Sequence, residues 1–224
     1  MSCQISRYLS SSIIKKQIMG ITGLLLSGFI ISHLIGNLLV FIGADTYNKY
    51  AHTLVTNPAI YFAEFALSII FISHIFMAIK LTIENKKARP EQYYFKANTG
   101  RGATLASSSM PYTGIILLIF LIWHICSLKY GTVYYTTIDG TQMRDLYKLM
   151  IEYFAVPWHT IAYIIGMIAI AIHTSHGLSS SFQSLGFQHP KYDKKIKIIS
   201  KVYALIVGLG FSSLPIYLYF QGVQ

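Results

Sequence analysis

Apolar residues in this chain fall in long, nearly uninterrupted blocks. Five of them, Gln17–Ile42, Pro58–Ile79, Pro111–Leu128, Phe154–Leu178 and Val202–Phe220, contain a single charged residue, Glu64. About 20 helical residues cross the roughly 30 Å hydrocarbon core of a bilayer. The blocks therefore predict an all-α integral membrane protein, a bundle of five transmembrane helices. Pro58 and Pro111 open their blocks and Pro157 lies in the first turn of the fourth, positions where a missing N–H costs little. Pro215, late in the fifth, is expected to kink its last turns. The stretch Thr141–Phe154 ahead of the fourth block is amphipathic and reads as a surface helix at the membrane interface.

Composition supports lipid as the solvent. The 224 residues are 54% hydrophobic and only 12% charged, against about 25% charged in soluble domains. A single membrane domain, residues 1–224, accounts for the length. The net charge of +10 is carried between the blocks, which makes it an orientation signal and not a nucleic-acid footprint. All Lys and Arg except Lys49, Lys129, Arg144 and Lys148 lie in residues 1–16, 80–110 and 179–201. The positive-inside rule places the N-terminus and both basic loops in the cytoplasm and the C-terminus outside, for a multi-pass protein of the cytoplasmic (inner) membrane. The first block follows Lys15 and Lys16 and is longer than the 7–15 residues of a signal-peptide core, so it reads as a retained span. Cys3 and Cys126 are too few for an iron–sulfur cluster and form no disulfide framework.

Against this apolar background the histidines carry the chemistry. His33, His74, His124 and His173 sit one to a block in the first four blocks, and an ionisable side chain inside a membrane is a functional-site candidate. With the topology above, His33 and His124 lie toward the outer side. His74 follows Pro58, and His173 follows Pro157, by 16 residues, so both sit ~24 Å from the outer starts of their spans. Depth sorts the four into an outer pair, His33 with His124, and an inner pair, His74 with His173, each from two parallel helices. Two imidazoles facing each other are a suitable axial set for haem iron. A lone membrane histidine often only hydrogen-bonds a neighbouring helix; four in depth-matched pairs favour iron.

Other residues bear on the same reading. His176 is three residues beyond His173 and rivals it as the inner ligand. His159 at the outer start of the fourth block, His52 in the outer connection and His189 beside Pro190 on the inner side read as interfacial. Gly20, Gly23, Gly28, Gly36, Gly166 and Gly177 can provide clearance for a flat macrocycle, although glycine is common at helix contacts in any case. Each half of the first four blocks carries its histidines outer then inner, a hint of internal duplication.

Three stretches carry a family resemblance: residues 15–41 (KKQIMGITGLLLSGFIISHLIGNLLVF), 108–124 (SSMPYTGIILLIFLIWH) and 172–192 (IHTSHGLSSSFQSLGFQHPKY). They resemble the cytochrome b membrane-anchor subunit of succinate:quinone oxidoreductases (succinate dehydrogenase and fumarate reductase) in its five-helix, two-haem form. The resemblance implies two haem b groups ligated by His33 with His124 and by His74 with His173; the spacing His173-x-x-x-Gly177-Leu178 favours His173 over His176. It implies docking of an iron–sulfur subunit and a flavoprotein subunit on the cytoplasmic side, and electron exchange with a membrane quinone, menaquinone in this form. Glu64, an intramembrane carboxylate in the outer third of span two, is then the candidate for quinone proton exchange, with Tyr61, Asn37, Trp123 and His159 around it. Lys15, Lys16, Lys80 and Lys201 are placed to meet inner propionates; relatives often carry a basic residue before span three, where this chain has Ser107-Ser108-Ser109. The chain has no GxGxxG strand–turn–helix signature and no cysteine cluster, so dicarboxylate chemistry belongs to the partner subunits. A di-haem anchor of another respiratory enzyme, and a non-redox transporter using histidines for protons or metal, are the competing readings.

Overall fold

The computed structural model describes residues 11–88, 105–187 and 189–223. Cys3, Arg7, Arg89, Lys96 and Arg101 lie outside the described residues, as does the side chain of Ser107. The architecture is an all-α bundle with one small hairpin. In chain order it comprises α1 (Ser12–Asn37), α2 (Ala44–Thr56), α3 (Ala59–Lys87), α4 (Leu105–His124), β1 (Tyr135–Ile138), β2 (Thr141–Arg144), α5 (Leu146–Phe154), α6 (Pro157–Ser184) and α7 (Pro190–Gly222). A 3-10 turn, Leu38–Phe41, extends α1, and a π turn, Ile125–Lys129, extends α4.

Five of these helices are long and apolar enough to span a bilayer. With no water in the hydrocarbon core, a helix satisfies every backbone group internally. All five run past the apolar blocks at the ends that carry most of the lysines. The 29 residues of α3 reach Lys87, a length of ~43 Å against a core of roughly 30 Å. Starts are capped locally. Ser11 accepts from the Ile14 N–H, Asn57 from the Ala59 N–H, and Pro157 and Pro190 occupy first-turn positions. Pro111 does not open its helix: α4 begins at Leu105 and carries the proline inside it. Likewise α7 continues through a buried Pro215 to Gly222.

Packing sets up a four-helix square. α1 lies against α3 and α6, α6 also against α4, and α3 and α4 meet only glancingly; α7 packs along α6 and touches α1. α1 and α4 therefore face each other across one diagonal, α3 and α6 across the other. One end of the bundle carries Lys15, Lys16, Lys80, Lys86 and Lys87 and is called here the lysine end. Lys15 is buried there and donates to Glu84 at 2.5 Å, tying α1 to α3.

The opposite, hairpin end is closed by α2, β1–β2 and α5. One expectation changes here. Thr141–Phe154 is not one helix: Asp139 and Gly140 both have positive φ (52° and 75°), the two-residue turn that matches strand twist, so Thr141–Arg144 pairs antiparallel with Tyr135–Ile138. The helix starts only at Leu146, after Asp145 accepts from the Lys148 N–H. The connection after span one also folds, as α2. Asn48, buried in α2, donates to the Asp145 carboxylate at 2.8 Å and accepts from the Tyr147 N–H at 3.0 Å. Lys49 pairs with Asp139 at the hairpin turn, and that hydrogen bond raises the lysine pKa. Arg144 donates to the carbonyls of Leu128, Lys129 and Thr132, binding the hairpin to the end of α4. The main buried cluster lies at this end and joins Val40, Tyr47, Met150, Phe154, Tyr163, Leu214 and Leu218.

Candidate functional site

The four histidines converge in two pairs along the diagonals of the square. His33 on α1 and His124 on α4 have ring centres 6.0 Å apart with planes at 83°. His74 on α3 and His173 on α6 stand 6.4 Å apart with planes at 68°. All four rings are half-buried. The ring that meets His74 is that of His173; His176 is one turn further along α6.

These separations can be tested against a metal between the rings. A metal–imidazole bond of about 2 Å, added on each side to the ~1.1 Å from ring nitrogen to ring centre, sets two axial imidazoles ~6.2 Å apart. Both pairs fit that distance. The donor set points the same way. No group of three or more His, Cys, Asp or Glu able to hold a metal ion occurs among the described residues. Two imidazoles alone under-coordinate a bare ion, whereas a porphyrin brings four nitrogens of its own.

A threonine hydroxyl stands at Nδ1 of each ring of the lysine-end pair. The Thr22 hydroxyl donates to the Ile18 carbonyl at 2.8 Å and lies 3.1 Å from Nδ1 of His74. With its proton on its own helix, the oxygen can accept from the imidazole N–H. Thr113 repeats this against His173: it donates to the Ser109 carbonyl at 3.1 Å and stands 3.1 Å from Nδ1. Each ring thus has a hydroxyl oxygen at Nδ1 that can accept its proton, the arrangement that leaves Nε2 for a metal.

The hairpin-end pair is held differently. Phe29 and Phe120 stack on His33 and His124 at 5.4 Å and 5.7 Å. Phe211 covers His33 from α7. Nδ1 of His124 lies 3.3 Å from the Tyr163 hydroxyl. The Asn37 amide donates to the His33 carbonyl at 2.8 Å, with Nδ1 of the same residue 3.3 Å away. Asn37 in turn accepts from the Tyr47 hydroxyl, whose pKa is raised by burial and then by Tyr50, so the phenol stays a donor.

The Glu64 carboxylate pairs with Lys129 at the end of the π turn, 2.5 Å away, and both side chains are nearly half exposed. Trp123 and His159 do come together, 6.1 Å between rings, with His159 stacked on Tyr153 at 4.0 Å and its Nδ1 on the Tyr153 carbonyl. Asn37 belongs to His33, and Tyr61 is 71% exposed. His189 caps α7, accepting from the Lys191 N–H. Lys80 lies over the Phe76 ring while Lys16 and Lys201 are exposed.

Most glycines read as macrocycle clearance instead admit side chains of the protein itself. A Cβ at Gly166 would lie 2.6 Å from the Phe120 ring, and one at Gly20 would lie 3.1 Å from the Ser181 carbonyl. Gly36 admits Tyr50, while Gly28 faces open space. Gly23 does border a histidine, 3.6 Å from His74, but so does the unforeseen Gly114, 3.8 Å from His173. Thr22, Thr113 and Tyr163, which touch three of the four rings, carry no signal in the sequence when taken singly.

The chain is 28% identical over 157 residues, 68% of its own length and 69% of the relative's, to the succinate dehydrogenase cytochrome b558 subunit of Bacillus subtilis (strain 168). No protein-family model matches the chain, and no solved structure does.

Proposed function

We propose that this chain is the membrane anchor of a succinate:quinone oxidoreductase and binds two haem b groups, one between His33 and His124 and one between His74 and His173. The observation that carries the reading is the pair of imidazole separations, 6.0 and 6.4 Å, inside a bundle built for lipid. The relative's name supports the particular complex.

Each residue then has a defined task. The four imidazoles would hold the two groups by ring nitrogens from opposite corners of the square, with all four helices around them. Thr22 and Thr113 hold the Nδ1 protons of the lysine-end pair. Phe29, Phe120 and Phe211 keep water from the hairpin-end rings. When bound, the haems supply one-electron carriers that the amino acids lack. Glu64, with Lys129 as counter-ion, exchanges protons with a quinone, menaquinone by resemblance, near the hairpin end. Flavoprotein and iron–sulfur subunits dock at the lysine end, on the cytoplasmic side of the inner membrane, and perform the dicarboxylate chemistry.

Purification from native membranes in mild detergent tests this. The expected result is two haem b per chain by pyridine haemochrome assay, with a flavin- and iron–sulfur-containing succinate-oxidising activity in the same peak. A chain that emerges without haem b, or with a different dehydrogenase, contradicts the proposal.

A further inference from the structure

α1 and α4 share more than a histidine. α1 reads Thr22-Gly23-x5-Phe29-x3-His33 and α4 reads Thr113-Gly114-x5-Phe120-x3-His124, four residue types at identical spacings. Eleven residues separate threonine from histidine in both, three turns and ~20°, so the two side chains share a face ~16.5 Å apart along the helix.

Every position does the same thing in each copy. The phenylalanine stacks on the histidine of its own helix, at interplanar angles of 14° and 22°. The histidine joins the hairpin-end pair. The glycine leaves room beside a histidine of the other pair, His74 for Gly23 and His173 for Gly114. The threonine is buried and presents its hydroxyl to Nδ1 of that same ring, at 3.1 Å in both copies. A threonine bonded back to its own helix is ordinary in membrane helices. What is not ordinary is that both also set that hydroxyl 3.1 Å from Nδ1 of a histidine of the opposite pair. α3 and α6 repeat as well, His74 and His173 each following a proline by 16 residues.

We propose that Thr22 and Thr113 are positioning residues for the lysine-end pair, so that each copy of the duplicated element ligates one centre and orients a ligand of the other. Each threonine takes the Nδ1 proton of the ring facing it and fixes the tautomer that leaves Nε2 free. This rests on the reading that the pairs hold haem. An acceptor on Nδ1–H makes an imidazole a stronger donor, which favours ferric iron, so removing it raises the midpoint potential of that centre.

The test uses the assembled complex carrying Thr22→Val, Thr113→Val, Thr22→Ser or Thr113→Ser, followed by potentiometric optical titration and low-temperature electron paramagnetic resonance. The lysine-end component is identified as the one that His74→Ala abolishes. In each valine variant that component is expected to shift to higher midpoint and its low-spin ferric signal to move, while the other component stays. Serine, which keeps the hydroxyl, restores both. Selective loss of the lysine-end haem in the valine variants, restored by serine, supports the proposal equally. Valine variants that titrate like wild type overturn it, as do equal shifts or loss of both components. Wild-type complex without haem b overturns the functional reading itself, and with it this proposal, before any variant is made.

Discussion

The two ends of the bundle present histidine pairs of nearly equal separation in unlike surroundings. At the lysine end the rings meet two threonine hydroxyls, and the helices simply run on past them, joined by Lys15 and Glu84. At the hairpin end the rings are stacked by phenylalanines, touched by Tyr163 and Asn37, and roofed by a folded layer. The spacing of two facing imidazoles is therefore set by the helix diagonals, not by the residues beside them. What those residues set is proton placement and water access, and here the ends differ: hydroxyl acceptors orient one pair, aromatic packing the other.

Substitutions confined to one end should disturb only its own pair. The largest effect is expected from Gly166→Leu. A Cβ there already lies 2.6 Å from the Phe120 ring that stacks on His124, and overpacking of this kind costs about 1–3 kcal/mol. Reduced-minus-oxidised spectra should lose or shift the hairpin-end component and keep the other; equal damage to both would mean that the ends are not independent. Asn48→Ala comes next. It removes the donor to Asp145 and the acceptor for the Tyr147 N–H, leaving buried polar groups unmade at about 1–3 kcal/mol. A lower melting temperature in detergent with an unchanged lysine-end spectrum is expected; an unaltered melt would show that the roof contributes no stability. Lys129→Met should do least to the fold, since half-exposed ion pairs contribute about 0.2–1 kcal/mol. Thermal unfolding close to wild type, with slower quinone turnover, would place Glu64 in proton exchange; unchanged turnover would remove it from that role.

The contrast between the ends also separates what could be read in the sequence from what could not. Five spans, the four histidines and their pairing by depth were legible because lipid demands long apolar blocks and penalises each polar exception. The roof was not. α2 sets Asp45, Asn48, Lys49 and His52 among few large apolar residues, the make-up of a loop, and it is held by Asn48 and Tyr47 reaching residues some 100 positions away. The Asp139-Gly140 turn signal was present, but a helical period across Thr141–Phe154 masked the short β2. The six glycines pointed to clearance without saying for what, since a missing Cβ admits a tyrosine or a helix as readily as a macrocycle. Thr22 and Thr113 stand out only when α1 and α4 are aligned on their histidines, for then Thr-Gly, Phe and His coincide.

The central claim is that His33 with His124, and His74 with His173, each hold one haem. Redox titration of the visible spectrum of the wild type and of the four single His→Ala variants tests it most directly. The account predicts two components in the wild type, one lost in both His33→Ala and His124→Ala, the other lost in both His74→Ala and His173→Ala. A component that survives loss of one member of its pair, or one abolished by histidines from different pairs, would contradict it.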